Sequence, residues 1–134
     1  MNNFSNLVPG GGLTAHEAAG GHTLAKHVGK TEAELASRLA TNPRLLIASS
    51  FRDRSTAEQA ISEAINANQP LILSWLSSSK TKLQLLPYIA TFPVGVSQIR
   101  GSSGLIFVYQ VEVILRRDST LPLGYYILTA YPQP

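Results

Sequence analysis

The order of two hydrophobic periodicities along the chain constrains its fold more than any other feature. Apolar residues recur at helical spacing up to about residue 65, and the later stretches have the length and composition of strands. Helices followed by a run of strands are typical of an α+β fold. The sequence therefore predicts an α+β domain whose N-terminal helices pack on an antiparallel sheet.

Two helical segments are expected in the first third of the chain. The first covers residues 16–28 and is weakened or broken at Gly20–Gly21, because glycine is a poor helix former. Thr31 and Glu34 have the spacing of a capping box, which predicts the start of a second helix over residues 32–40.

A third helix and five strands are expected afterwards. Ser55 and Glu58 have capping-box spacing, and an apolar stripe follows at helical period up to the sequence NANQP at residues 66–70. The strand-like stretches are LILSWL (71–76), KLQLLPYIA (82–90), VGVSQI (94–99), GLIFVYQVEVILRR (104–117) and GYYILTAY (124–131). In the fourth stretch, alternate apolar residues from Leu105 to Leu115 would share one face, with Gln110 and Glu112 on the other.

Length and composition indicate one folded domain. The 134 residues suit a single domain over residues 16–134, preceded by a flexible linker over residues 1–15 that indicates an origin at the end of a longer protein. The absence of cysteine excludes disulfides, thiolate catalysis and cysteine-bound metal. No apolar run reaches the roughly 20 residues that span a bilayer, so no membrane span is expected. The net charge of +3 is compatible with a polyanionic partner such as nucleic acid.

Several kinds of catalytic site lack their sequence patterns. His16, His22 and His27 are six and five residues apart, so no pair has the helical spacing that builds a metal site locally. Neither a serine nucleophile elbow nor a phosphate-binding glycine loop is present. We expect neither a metal nor a cofactor.

General acid–base chemistry with cationic support remains. RNA can be cleaved through its own 2′-hydroxyl if a base, an acid and a group that stabilises the phosphorane are present. His27 could move a proton and Arg38 could bind phosphate oxygens. From the residues alone, His27 could equally be a helix cap or a surface group, and Trp75 could stack a base or belong to the core.

Three stretches together resemble a known family: GGHTLAKHVGKTEAELASRL (20–39), ASSFRDRSTAEQAI (48–61) and LPLGYYILTAYPQP (121–134). In order and spacing they are similar to the bacterial ribonuclease A-like toxin domain, the C-terminal effector of contact-dependent growth inhibition and polymorphic toxin proteins. The resemblance implies a fold like that of pancreatic ribonuclease, with helices on a curved antiparallel sheet and without disulfides.

The same resemblance implies a function and its residues. It implies a toxin endoribonuclease that cleaves RNA, transfer RNA being one candidate, without a metal. The catalytic positions fall on His27, Arg38, Thr129 and Tyr131. From the residues themselves, His22 is either a rival to His27 or a structural or substrate-positioning residue, and Lys26 and Lys30 could either contact phosphates of the substrate or be solvated. Tyr131 is better suited to donate a proton than to accept one, because the pKa of free tyrosine is about 10.

The resemblance also implies partners and a place of action. A cognate immunity protein would block the active site in the producing cell. The domain, a monomer, would be secreted or delivered from the cell surface as part of a larger protein and act in the cytoplasm of the target bacterium. The alternative is a non-catalytic module of the same fold that binds RNA or a protein.

Overall fold

The computed structural model of the chain describes residues 12–134. The predicted linker therefore lies outside the described residues over positions 1–11. Its last four residues, 12–15, belong to the first helix.

The described residues form five helices and seven strands. The helices are α1 (Gly12–Ala19), α2 (Thr23–His27), α3 (Glu32–Thr41), α4 (Arg54–Ala67) and α5 (Gln69–Leu76), and the strands are β1 (Ile47–Phe51), β2 (Lys82–Gln84), β3 (Tyr88–Ile89), β4 (Gly95–Ile99), β5 (Ile106–Val108), β6 (Gln110–Arg117) and β7 (Tyr125–Gln133). All strand pairs are antiparallel, which confirms the predicted α+β class. No helix within residues 12–134 is long and apolar enough to cross a membrane.

The strands form two sheets. One has the order β1-β4-β5, and in the other β6 pairs with β2 and β3 along one edge and with β7 along the opposite edge. Helix α4 packs on β6 and helices α1 and α2 pack on β7. The main core lies between these helices and the second sheet, and it includes Ile61, Ile65, Val113, Leu115 and Ile127.

The helices of the first half of the chain agree with the sequence except at two starts, since α1 begins at Gly12 instead of residue 16 and α4 begins before Ser55. The chain leaves the helix at Gly20–Gly21, and Thr31 and Glu34 form the predicted capping box of α3. The predicted capping box at Ser55 and Glu58 is wrong. Asp53 caps α4 instead, since its Oδ1 accepts from the Thr56 amide at 2.7 Å, and the fully buried Glu58 accepts from the amide of Leu13 at 2.8 Å.

Residues 71–76 were predicted to be a strand and are part of helix α5. Pro70 lies in the first turn, where its missing amide hydrogen is not needed. Ile72 and Trp75, three residues apart, are buried, whereas Leu73 is 64% exposed. The periodicity of a short apolar run is compatible with a strand and with a helix. In residues 71–76 the buried side chains have helical spacing, so the prediction of a strand is wrong. Trp75 belongs to the core.

The predicted strand over residues 104–117 is two strands in different sheets. β5 pairs with β4, and β6 begins at Gln110, after a break at Tyr109. Val111, Val113 and Leu115 face the core as expected, but Phe107 is 72% exposed. The apolar alternation continues through Tyr109, so it gives no sign that the chain crosses from one sheet to the other.

Arg117 holds the end of α5 against β6, which leads to a prediction about stability. Its guanidinium donates to the carbonyl oxygens of Trp75 and Ser78 at 2.6 and 2.8 Å, and lies 5.1 Å from the centre of the Trp75 ring. We expect Arg117→Ala to lower the free energy of unfolding by about 3 kcal/mol, because these carbonyls lose a charged donor. Urea denaturation measures the change. The exposed neighbour Arg116 provides the control, and an equal loss in Arg116→Ala would contradict the prediction.

Candidate active site

Helix α2 is fixed on strand β7 through the turn that precedes it. The backbone of Gly21 comes so close to this strand that a Cβ atom would collide with the carbonyl oxygen of Ile127. The next amide, that of His22, donates to the carbonyl of Leu128 at 3.0 Å. Glycine at position 21 therefore allows the start of α2 to lie directly beside Thr129.

A second turn brings α3 back over the end of α2. Gly29 has a φ of +68°, which side chains other than glycine rarely adopt, and its amide donates to the carbonyl of Phe51 at 3.1 Å. The capping box then starts α3 at once. As a result, Nη1 of Arg38 lies 3.3 Å from Nδ1 of His27. An arginine can only donate, so Nδ1 is the acceptor and the proton of neutral His27 is on Nε2.

Strand β7 supplies the opposite side of the site. Thr129, Tyr131 and Gln133 alternate along this strand and therefore share a face. The rings of Tyr131 and His27 have their centres 5.5 Å apart with an interplanar angle of 49°. Two hydroxyl groups thus lie on the side of the site opposite Arg38.

These side chains line one cavity of about 350 Å³. The cavity contains six of the seven site residues predicted from the sequence, namely His22, Lys26, His27, Arg38, Thr129 and Tyr131. The seventh, Lys30, is not among its lining residues, and its amide donates to Oγ of Ser50 at 2.9 Å. The remaining lining residues, which were not predicted as site residues, are Leu45, Ile47, Ser49, Pro132 and Gln133.

The environment of His27 favours its neutral form. The pKa of its imidazole is lowered from 6.5 to about 4, mainly by burial and next by the positive charge of Arg38. His22 and Lys26 add smaller effects of the same sign, whereas a hydrogen bond with the Ser49 backbone opposes them. At neutral pH, His27 is therefore an unprotonated imidazole beside a fixed cation, and it can accept a proton.

The lowered pKa of His27 predicts a loss of stability in acid. The unfolded chain takes up a proton near the ordinary pKa of 6.5, whereas the folded chain does so only near 4. Stability from this group is therefore complete above about pH 6.5 and is lost as the pH falls to about 4, by about 3 kcal/mol in the free energy of unfolding. Urea denaturation between pH 4 and 7 tests this against His27→Asn, whose pH dependence should be shallower. Parallel curves for the two proteins would contradict it.

Three other polar groups of the cavity, on Tyr131, Thr129 and His22, can form hydrogen bonds with a ligand. Burial, and next the negative charge of Glu112, raise the pKa of Tyr131, so its phenol stays protonated. Oγ1 of Thr129 and Nδ1 of His22 are buried and have no hydrogen-bond partner within residues 12–134. A buried polar atom without a partner costs about 1–3 kcal/mol, which a bound substrate can offset by supplying the missing hydrogen bond.

The arrangement is suited to acid–base chemistry on an anion. The imidazole of His27, the guanidinium of Arg38 and the hydroxyl groups of Thr129 and Tyr131 line the same cavity. A proton acceptor, a stabilising cation and proton donors therefore meet in one place. Residues 12–134 contain no group of three histidine, aspartate or glutamate side chains that could hold a metal ion.

Comparison with known proteins gives two matches. The family model of the bacterial CdiA-CT RNAse A domain matches residues 21–132. Among solved structures, the chain is similar to one in the crystal structure of a CdiA-CT/CdiI complex from Y. kristensenii 33638, with 45% sequence identity and a TM-score of 0.77. This similarity covers 85% of the present chain and 100% of the other. No curated protein matches the sequence. The family match includes every residue that lines the cavity except Gln133.

Proposed function

This chain belongs to the family of bacterial CdiA-CT RNAse A domains, and on that premise we propose that it is a toxin endoribonuclease. It cleaves RNA by metal-independent acid–base transphosphorylation in a target bacterium and is neutralised by a cognate immunity protein. The observation that carries the proposal is the contact of His27 with Arg38, at 3.3 Å, in a cavity that Thr129 and Tyr131 also line.

In the proposed reaction, His27 is the general base. It removes the proton of the 2′-hydroxyl, the 2′-oxygen attacks the adjacent phosphorus, and the bond from phosphorus to the 5′-oxygen breaks. The products are a 2′,3′-cyclic phosphate and a free 5′-hydroxyl, which takes a proton from a donor in the site. The neutral form of His27 at the pH of the cytoplasm supports this role, because a base must be unprotonated before it accepts a proton.

When RNA binds, the guanidinium of Arg38 exchanges its hydrogen bond to Nδ1 of His27 for one to a phosphate oxygen. A charged phosphate oxygen is a stronger acceptor for the guanidinium than a neutral imidazole nitrogen. The exchange frees Nδ1 of His27 to accept the hydroxyl proton, and it places the positive charge beside the phosphorane, where negative charge develops.

Thr129 and Tyr131 donate hydrogen bonds to the oxygens of the reacting phosphate. The unpartnered hydroxyl of Thr129 and the protonated phenol of Tyr131 support these roles. Tyr131 is also the candidate donor for the departing 5′-oxygen. His22 and Lys26 line the same cavity and bind neighbouring parts of the RNA backbone, and Lys30, just outside it, contacts a more distant phosphate.

The partner and the place of action follow the family. The similar chain was crystallised in a CdiA-CT/CdiI complex, and we propose that a corresponding immunity protein blocks the cavity of this domain in the producing cell. The domain, a monomer, is delivered as the C-terminal part of a larger secreted or surface-exposed protein. It then acts on RNA, with transfer RNA as one candidate, in the cytoplasm of the recipient.

The test is cleavage of total bacterial RNA by the purified domain in the presence of EDTA. We expect fragments that end in 2′,3′-cyclic phosphate, and expression without an immunity protein should arrest growth. Cleavage that stops in EDTA would contradict the metal-independent mechanism. Binding of RNA without cleavage, together with normal growth, would indicate the non-catalytic module instead.

A further inference from the structure

A buried carboxylate lies next to the cavity, and beyond its effect on the pKa of Tyr131 it has no role in the chemistry described above. The side chain of Glu112, in the middle of β6, is 3% exposed. Within residues 12–134, no cationic side chain comes within 4.0 Å of it. Its two oxygens instead accept hydrogen bonds from two amide groups, those of Gln84 and Gln133. Burial of a charge is unfavourable unless it is hydrogen-bonded, so the two amides are what keeps Glu112 in place.

Strand register puts this group on the cavity side of the sheet. Glu112 pairs directly with Tyr131, and Gln110 pairs directly with Gln133, so all four side chains share one face. Gln133 lines the same cavity as His27 and Arg38. Gln133 is the member of this group that lines the cavity, and it is held by Glu112, which also accepts from Gln84. We call Glu112, Gln84 and Gln133 the amide cluster.

The carboxylate fixes which end of the Gln133 amide is available to a ligand. A carboxylate can only accept hydrogen bonds, so the NH₂ group of Gln133 must turn toward it, and Nε2 lies 3.3 Å from Oε2 of Glu112. The carbonyl oxygen of Gln133 is then the end of the amide that can accept a hydrogen bond from a ligand. A glutamine without such a partner could rotate its amide and present either its NH₂ group or its carbonyl oxygen. Gln133, with its NH₂ group bonded to Glu112, presents only the carbonyl oxygen, which is an acceptor.

We propose that the amide cluster is a nucleobase subsite next to the cleaved phosphate, and that it selects adenine, by its amino group on C6, or cytosine, by its amino group on C4. This inference rests on the proposed ribonuclease function. The carbonyl of Gln133 accepts from the amino group, and the charge of Glu112 behind it favours a donor. Uracil and hypoxanthine place a carbonyl oxygen where the amino group would be, and that oxygen meets an acceptor and a negative charge. Gln133 is the specificity residue, and Glu112 is a positioning residue that acts through it.

The size of the cavity supports the presence of a base beside the phosphate. Its volume of about 350 Å³ lies within the range of small-molecule sites. The reacting phosphate takes up the end next to His27 and Arg38. The end that Gln133 lines is therefore where a base on one side of that phosphate lies.

The test uses DNA oligonucleotides that contain one ribonucleotide, so that each can be cleaved at a single position. One pair has cytosine or uracil on the ribonucleotide, and a second pair has adenine or hypoxanthine on the nucleotide after it. We expect kcat/KM to be about threefold to tenfold higher for the amino-bearing base in one of the two pairs, as one hydrogen bond between neutral groups provides. Glu112→Gln should reduce this ratio to near one, because both amides can then rotate. The exposed Glu32→Gln removes the same charge elsewhere and should keep the ratio.

The possible outcomes separate this inference from the proposed function. Equal rates within both pairs would overturn the subsite alone, as would a ratio that Glu112→Gln leaves unchanged. Failure of the wild-type domain to cleave any of the four oligonucleotides would overturn the subsite, and if total RNA were not cleaved either, it would overturn both proposals. If Glu112→Gln does not fold, Gln133→Ala provides the same test, because it removes the amide and leaves the carboxylate. Its ratio must also fall to near one for the inference to stand.

Discussion

Replacement of His27 by alanine lowers kcat/KM for RNA cleavage by about 10²–10⁴-fold, the usual contribution of a general acid or base. The imidazole is the only neutral nitrogen base that we assign to the reaction, and the hydroxyls of Thr129 and Tyr131 stay protonated near neutral pH. Neither hydroxyl can therefore replace it as the base. The rate is measured with a fluorescent oligonucleotide under EDTA, at enzyme concentrations high enough to detect the residual activity.

Two further variants distinguish loss of the base from loss of the fold. His27→Asn keeps a polar side chain in the cavity but cannot transfer a proton at neutral pH, so it should be as inactive as His27→Ala. Lys82→Ala changes an exposed residue of β2 and should cleave RNA like the wild type. Full activity of His27→Asn in a folded protein would refute the assignment of His27.

The contact between His27 and Arg38 rests mainly on local features of the chain, although the residues alone made this pair only permissible and the family resemblance singled it out. Gly29 allows the turn, Thr31 and Glu34 start the next helix, and both side chains lie within eleven residues of one another. The capping box of Thr31 and Glu34 can be recognised in the sequence, and it starts the helix without any tertiary contact. The arrangement of His27 and Arg38 therefore follows largely from local structure.

The other side of the cavity depends on contacts about a hundred residues apart in sequence. Thr129 and Tyr131 show only the alternation of an ordinary strand, and it was the resemblance to a family that singled them out. What brings them to His27 is the close approach of Gly21 to β7. A glycine doublet indicates a weak point in a helix, but it does not name the strand against which the backbone will lie.

Strand β1 was not predicted because it lacks a pattern. Its sequence IASSF is buried at four of five positions, and two of these carry serine. Oγ of Ser49 pairs with Oγ of Ser97 at 2.6 Å, which satisfies both hydroxyls inside the sheet. A stretch with several polar residues resembles a loop when only the sequence is known, because the hydrogen bonds that satisfy these residues form between distant parts of the chain. The side of the cavity that Ile47 and Ser49 line was therefore not predicted.

The second large effect is expected for Arg38, whose guanidinium has two separable roles. Arg38→Ala should lower kcat/KM by about 10²–10³-fold, because the phosphorane loses a stabilising charge in a partly buried site. It should also raise the pKa of His27 toward 6.5, since the charge of Arg38 is, after burial, the largest cause of its lowered value. The acidic limb of the kcat/KM profile reports the free enzyme, so it should move to higher pH.

Arg38→Lys separates the two roles of the guanidinium, because it keeps the charge and removes the planar fork of donors. We expect its acidic limb to stay near that of the wild type, whereas its rate falls, since an ammonium group cannot bind two phosphate oxygens in the same fixed geometry. Arg44→Ala removes an equal charge from an exposed position and should change neither the rate nor the limb. Profiles measured between pH 3.5 and 8 decide the matter. If the limb of Arg38→Ala stays where it is in the wild type, burial alone sets the pKa of His27, and Arg38 acts only on the phosphate.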